Sequence, residues 1–157
     1  MKLIIDDAQH MEKLGGLLIE GCPQGGLVFL KGNLGAGKTT LVRGLLRAVG
    51  YEGNVKSPTY TLIESYDING RTIHHLDLYR LGDPEELEYL GVRELSDARS
   101  LCLIEWPEKA AEHVMLPDLV VEIDYAGQGR QVKIVANTSV GQKMVDHIRT
   151  HAQFGVA

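Results

Sequence analysis

Residues 25–50, GGLVFLKGNLGAGKTTLVRGLLRAVG, leave few folds open. A short continuous apolar run, Leu27 to Leu30, reads as a buried strand. It runs straight into a glycine-rich loop. The loop runs into a segment with Leu41, Leu45, Leu46 and Val49 on one helical face and Gly50 placed for a C-terminal cap. The loop itself, Gly32-Asn-Leu-Gly-Ala-Gly37-Lys38-Thr39, matches G-x-x-x-x-G-K-[ST] in full. The spacing has a chemical reason. Glycines let the backbone wrap so that successive N–H groups converge on one anion, and the helix opening at Lys38 adds its positive end. Lys38 supplies a point charge for β- and γ-phosphates, and the Thr39 hydroxyl is a hard oxygen ligand for Mg²⁺. Loop residues Asn33, Leu34, Gly35, Ala36, Gly37, Lys38, Thr39 and Thr40 are therefore the expected phosphate cradle.

The rest of the chain supports an α/β domain. KLIID reads as a first strand and DAQHMEKLGGLLIEG as a helix with Met11, Leu14, Leu17 and Leu18 at helical spacing. YTLIESYDINGRTIHHLDLYRL carries two strand-like runs around Asn69-Gly70, a hairpin signal. In DPEELEYLG, Asp83 reads as an N-cap, Pro84 as the first helical residue and Glu86 as the capping-box acid. SLCLIEW is a second buried strand and PEKAAEHV a short helix opened by Pro107. DLVVEIDY and RQVKIVAN form a second hairpin, and SVGQKMVDHIRTHA a closing amphipathic helix. Helices interleaved with buried strands and hairpins imply a mixed central β-sheet flanked by helices, of the P-loop NTPase-like kind, in one compact domain spanning 1–157.

Composition narrows the function classes. A net charge of −5, with Lys and Arg never forming a run, argues against direct DNA binding. The two cysteines, Cys22 and Cys102, form no Cys-x-x-Cys pair, which suits thiols in a reducing compartment. The N-terminus turns acidic after five residues, and no apolar run approaches the roughly 20 residues that span a bilayer. The expectation is a soluble cytoplasmic protein.

A P-loop needs an acid at the end of a neighbouring buried strand to hold Mg²⁺ or its water. Glu105 ends LCLIE and Asp77 ends IHHLD. Both follow strand-like segments, and which of them touches the metal stays open at this level. Between the P-loop helix and these acids lies KSPTYTLIESY. Pro58 restricts Ser57, and Thr59 is the best candidate for a hydroxyl that senses the γ-phosphate. His147 and His151 stand four apart but lack a third ligand, so they read as a solvated helix face. His74 and His75 alternate across a strand, so at most one shares a face with Asp77, and a structural role is the simpler reading.

GNLGAGKTTLVRGLL, VKSPTYTLIESY, HHLDLYRLGDPEELEYLG and LCLIEWPE, in that order, closely resemble the TsaE (YjeE) family, bacterial P-loop ATPases of tRNA threonylcarbamoyladenosine biosynthesis. The match is detailed from about residue 27 to 113. The resemblance implies ATP and Mg²⁺ as cofactors. It makes Lys38 the phosphate lysine, Thr39 and Glu105 the metal ligands, and Asp77 the essential aspartate near the γ-phosphate and Mg²⁺ water. It makes Thr59 the switch-like threonine and Trp106 the tryptophan beside the acidic ligand, and it puts Arg130 over the adenine. Lys38, Asp77 and Thr59 are then the catalytic set. The resemblance also implies partners, the TsaD and TsaB proteins, and an indirect link to tRNA through their complex. There, ATP hydrolysis supports modification of adenosine 37 in ANN-decoding tRNAs, and the ATPase is weak alone. Tyr79 and Arg80 serve either the nucleotide or the partner interface.

Other P-loop functions make different demands. A small-molecule kinase, the main alternative, normally has an arginine-bearing lid, and this chain has no compact Arg-rich segment. A GTP switch would carry an Asn-Lys-x-Asp base-reading motif, which is missing. A nucleotide-sensing scaffold would bind without turnover even with its partners.

Overall fold

The computed structural model describes residues 1–95, 97 and 99–156. Eight strands form one sheet: β1 (Lys2–Ile5), β2 (Gly26–Lys31), β3 (Ile63–Ile68), β4 (Arg71–Asp77), β5 (Ser100–Glu105), β6 (Leu119–Ala126), β7 (Gly129–Ala136) and β8 (Gly155–Val156). Their order is β3-β4-β5-β2-β6-β7-β1-β8. The centre, β4-β5-β2-β6, is parallel, and hairpins and antiparallel pairs extend it on both sides. All six residues of β5 are buried, as a strand covered on both faces requires. The β3–β4 turn carries Asn69 at φ 51° and Gly70 at φ 78°, the two positive values that a tight two-residue hairpin needs.

Alternation along the strands divides the core into two layers. Val28, Leu30, Ile73, Leu101 and Leu103 face the three long helices α1 (Ala8–Glu20), α2 (Lys38–Ala48) and α5 (Ser139–His151). Leu27, Leu76, Cys102 and Ile104 face the other way, against α3 (Glu86–Tyr89), α4 (Val92–Leu95) and a 3₁₀ helix, Pro107–His113. Cys22 belongs to the first layer and Cys102 to the second, so the sheet separates the two thiols. Helix α1 begins at Asp7, whose carboxylate accepts from the His10 N–H at 2.8 Å. Among the described residues no helix is long and apolar enough to cross a membrane.

Local readings differ from the structure at four places. The segment opened by Asp83 and Pro84 is a turn, followed by only one helical turn from Glu86. Glu86 Oε1 does reach back to the Asp83 N–H, at 3.4 Å, while the Asp83 carboxylate caps the Glu85 N–H at 3.0 Å. Gly91, at φ 65°, ends that turn, and α4 starts beyond it. PEKAAEHV forms a 3₁₀ rather than an α-helix. The first hairpin strand starts at Ile63 rather than Tyr60, because residues 59–61 form a turn and Leu62 takes φ 66°. Strand β8, too short to show periodicity, pairs with β1.

Candidate functional site

The P-loop leaves the C-terminal end of β2 at the same sheet edge where β4 and β5 end. Parallel pairing places Leu30 beside Glu105 and Glu105 beside Asp77. Ligands of open α/β sheets gather at this carboxyl edge. The strand phase sets the direction. Ile73, His75 and Asp77 share one face of β4, and Leu101, Leu103 and Glu105 share that face of β5, the side on which α2 packs.

The loop backbone needs its glycines. Gly35 sits at φ 77° and Gly37 at φ 119°, values that side chains with a Cβ rarely adopt. Gly37 is also the N-cap of α2, and among the described residues no side chain caps that helix. Its first-turn N–H groups are therefore left for an anion. Lys38, 7% exposed, donates to the Gly32 carbonyl, and its Nζ lies 4.3 Å from the centre of the Trp106 ring. Burial holds the Lys38 pKa below the usual lysine range, against the opposing pull of Glu105, Asp77 and Glu108.

Facing the lysine are two buried carboxylates, Asp77 at 3% and Glu105 at 1% exposure. The Ser57 hydroxyl touches both: it hydrogen-bonds Asp77 Oδ2 and lies 3.1 Å from Glu105 Oε2. Thr59 Oγ1 donates to the same Asp77 oxygen at 3.0 Å, and the Tyr79 N–H donates to Asp77 Oδ1 at 2.9 Å. Burial pushes the Asp77 pKa up, but hydrogen bonding to Ser57, the Tyr79 N–H, Glu105 and Thr59 outweighs it and holds the carboxyl below its usual range. A carboxyl whose folded-state pKa lies below its unfolded value lends stability above the unfolded value. That stability is lost as pH falls through the folded one. The melting-temperature difference between wild type and Asp77→Asn should accordingly shift against wild type once pH drops below about 4. Calorimetry across an acid series would show a constant difference if Asp77 did not titrate this way.

Two clefts flank the P-loop and share Gly35, Ala36, Gly37 and Thr40. One, of about 210 Å³, is lined by Leu34, Lys38, Thr39, Ser57, Thr59, Asp77, Glu105 and Trp106. The other, of about 180 Å³, is lined by Asp6, Asp7, Met11, Thr40, Gln128 and Arg130. A ligand lying along the loop would have its anionic end in the first and its remaining part in the second. Arg130 lies in the second cleft, half-buried, with its guanidinium engaged: Nε donates to the Ala36 carbonyl at 2.8 Å and an Nη to the Gly35 carbonyl at 3.3 Å. It also stacks on Tyr125, 4.3 Å from the ring centre, and the Tyr125 hydroxyl donates to the Leu34 carbonyl at 3.0 Å. The β6–β7 hairpin thus buttresses the loop from outside. Asn33 lies in neither cleft; it lines a neighbouring one with Glu108, Glu122 and Asp124.

The structure therefore brings Lys38, Thr39, Thr59, Asp77 and Glu105 into one cleft, with Trp106 at its wall. Sequence reasoning passed over Ser57, although it sits two residues from Thr59 in the same hydroxyl-bearing stretch. It also passed over Tyr125, for which no local signal exists. The His147 and His151 rings lie 4.2 Å apart, tilted by 31°, with His147 Nε2 3.2 Å from Glu20. Among the described residues no three His, Cys, Asp or Glu side chains form a metal cage. Two carboxylates and a threonine, all hard oxygens beside a phosphate cradle, fit Mg²⁺, which takes one or two carboxylates and completes its shell with phosphates and water. Glu105 Oε1 supports that fit, being buried without a hydrogen-bond partner.

The sequence family model described as threonylcarbamoyl adenosine biosynthesis protein TsaE matches residues 5–134. The chain belongs to the TsaE family. A Haemophilus influenzae protein named tRNA threonylcarbamoyladenosine biosynthesis protein TsaE is 51% identical over 119 residues, 76% of this chain and 75% of its own length. A Rickettsia felis protein of the same name is 32% identical over 154 residues, 97% of this chain and 89% of its own. The crystal structure of Bacillus subtilis YdiB superimposes with a TM-score of 0.79 at 25% identity, covering 96% of this chain and 95% of the other.

Proposed function

We propose that this TsaE-family chain, taken over 1–157 as one P-loop domain, is a Mg²⁺-dependent ATPase. It acts in the cytoplasm with TsaD and TsaB to support threonylcarbamoyladenosine modification of adenosine 37 in ANN-decoding tRNAs. The observation that carries the proposal is the convergence of Lys38, Ser57, Thr59, Asp77 and Glu105 on one cleft beside an uncapped P-loop helix. The names of the relatives supply the pathway. The chain is not itself the transferase and meets tRNA through its partners, in keeping with a net charge of −5.

Phosphoryl transfer leaves the protein little covalent chemistry and asks for positioning and charge neutralisation. The loop N–H groups and Lys38 bind the β- and γ-phosphates. Thr39 and Glu105 would hold Mg²⁺, which when bound neutralises charge developing on the phosphates. Asp77, kept ionised by its donors, orients water. Thr59 and Ser57, both bonded to Asp77, couple the γ-phosphate to the conformation of residues 57–62. Arg130 and the Asp6–Asp7 cleft receive the nucleoside end.

Steady-state ATP hydrolysis, measured alone and with TsaD and TsaB, tests the reading. Basal turnover should be low, rise with the partners and fall at least about 100-fold in Asp77→Ala. Indifference to the partners, together with stoichiometric consumption of a small-molecule acceptor, would replace the reading with a kinase. Glu105→Ala should instead raise the Mg²⁺ concentration for half-maximal turnover by at least about tenfold. An unchanged Mg²⁺ curve would remove Glu105 from the metal.

A further inference from the structure

His75 has a place in the site that neither the motif nor the candidate machinery accounts for. It lies on β4 two residues before Asp77, on the same face, and its ring is 0% exposed. Across the parallel pair it stands beside Leu103, so it sits one step inward of both carboxylates. Neither Nδ1 nor Nε2 has a hydrogen-bond partner among the described residues. The near polar group is Glu105, whose Oε2 is 3.7 Å from His75 Nε2. That is too long for a hydrogen bond but within a small side-chain adjustment of one. Glu105 Oε1 is equally unpartnered. The Oε2 nearest the imidazole takes a hydrogen bond from Ser57, while both ring nitrogens stay unsatisfied; a buried imidazole without a partner is costly unless another state of the molecule supplies one.

The hydroxyl that now holds Glu105 belongs to a different segment. Ser57 lies 3.1 Å from Glu105 Oε2 while also bonded to Asp77. Ser57 belongs to the irregular segment before β3, whereas His75 lies within β4, paired on both sides in the sheet. A ligating carboxylate needs a fixed partner behind it to set its rotamer, and second-shell donors of this kind are worth roughly 10–100-fold in metal affinity.

We propose that His75 is a positioning residue: its Nε2–H donates to Glu105 and fixes that carboxylate in the orientation that takes the divalent cation. The inference rests on the Mg²⁺-ATPase reading. It assigns the imidazole a role through Glu105 and no contact with nucleotide. The opposite carboxylate is positioned differently, from the loop and the Tyr79 N–H. The two acids therefore differ in support: Glu105 has an imidazole of the neighbouring strand behind it, and Asp77 is held by Ser57, Thr59 and the Tyr79 N–H.

Three variants separate the donor from the volume. Gln carries a nitrogen where the imidazole has Nε2, Asn only where it has Nδ1, and Leu fills space without a donor. The measurement is Mn²⁺ binding in the presence of ADP, followed by the electron paramagnetic resonance signal of free Mn²⁺, with ADP binding in EDTA and thermal unfolding measured in parallel. Mn²⁺ affinity is expected to fall about tenfold or more in His75→Leu and His75→Asn and to stay within about threefold of wild type in His75→Gln. ADP binding in EDTA should stay unchanged in all three. Equal Mn²⁺ affinity in Gln and Asn variants would overturn the proposal, as would equal loss of ADP binding in EDTA, which marks a packing role. If His75→Leu fails to fold, the Gln–Asn contrast still decides. Wild type that binds ADP without any Mn²⁺ linkage would instead overturn the metal-dependent reading itself.

Discussion

Lys38→Ala is expected to lose productive triphosphate binding, with ATP turnover reduced by at least about 100-fold. The ammonium is buried against the Gly32 carbonyl and the Trp106 ring, and it faces Asp77 and Glu105 across the cleft. Without it, the β- and γ-phosphates would approach two buried carboxylates with only the loop N–H groups and the proposed Mg²⁺ to offset them. The loss should therefore be steeper for ATP than for ADP, which carries one phosphate less toward the acids. Trp106 is the single tryptophan of the chain, so its fluorescence should change on substitution and report nucleotide binding in wild type. Calorimetric titration with both nucleotides checks the order. Wild-type ATP affinity in the variant would show that the G-x-x-x-x-G-K-[ST] match does not bind phosphate here.

Gly44→Ala is expected to lower stability by roughly 3 kcal/mol, a drop in melting temperature of about 10 °C for a chain of this size. Helices α1 and α2 cross so closely that a Cβ at Gly44 would lie 2.0 Å from the Glu12 carbonyl oxygen, and one at Gly15 2.0 Å from that of Leu41. These obstacles are backbone, which can yield only if the helices separate. Because α2 begins at the P-loop, separation also displaces Lys38 and Thr39, and nucleotide affinity should fall with stability. Gly16→Ala is the control: its nearest non-local atom would be Ala48 Cβ, at 3.4 Å, and its melting temperature should barely change. If Gly44→Ala behaved like Gly16→Ala, the close crossing would be wrong.

What is legible locally is legible for physical reasons particular to each element. The P-loop declares itself because its glycines, lysine and threonine are contiguous and each is required by phosphate geometry. The Asn69-Gly70 turn announces its hairpin through two positive φ angles. The continuous apolar run before Glu105 announces a strand covered on both faces. DPEELEYLG failed because capping residues promise a helix start but not its length. Gly91 ends the turn after one cycle, and the segment is held by Leu87 in the second core layer.

The site shows the same division. The chain by itself determined which chemistries are available: a phosphate cradle, two acids ending buried strands and a threonine ahead of them. Only the tertiary structure decided that these groups meet. Parallel strands carry no turn signature linking one to the next, so the adjacency of Leu30, Glu105 and Asp77 follows from burial and register across the whole sheet. The bridging place of Ser57, the brace formed by Arg130 and Tyr125 from a hairpin some 90 residues beyond the loop, and the position of His75 behind Glu105 all depend on that adjacency. Local sequence encodes backbone preference over a few residues. Packing of the two core layers against one sheet sets which distant side chains share a cleft.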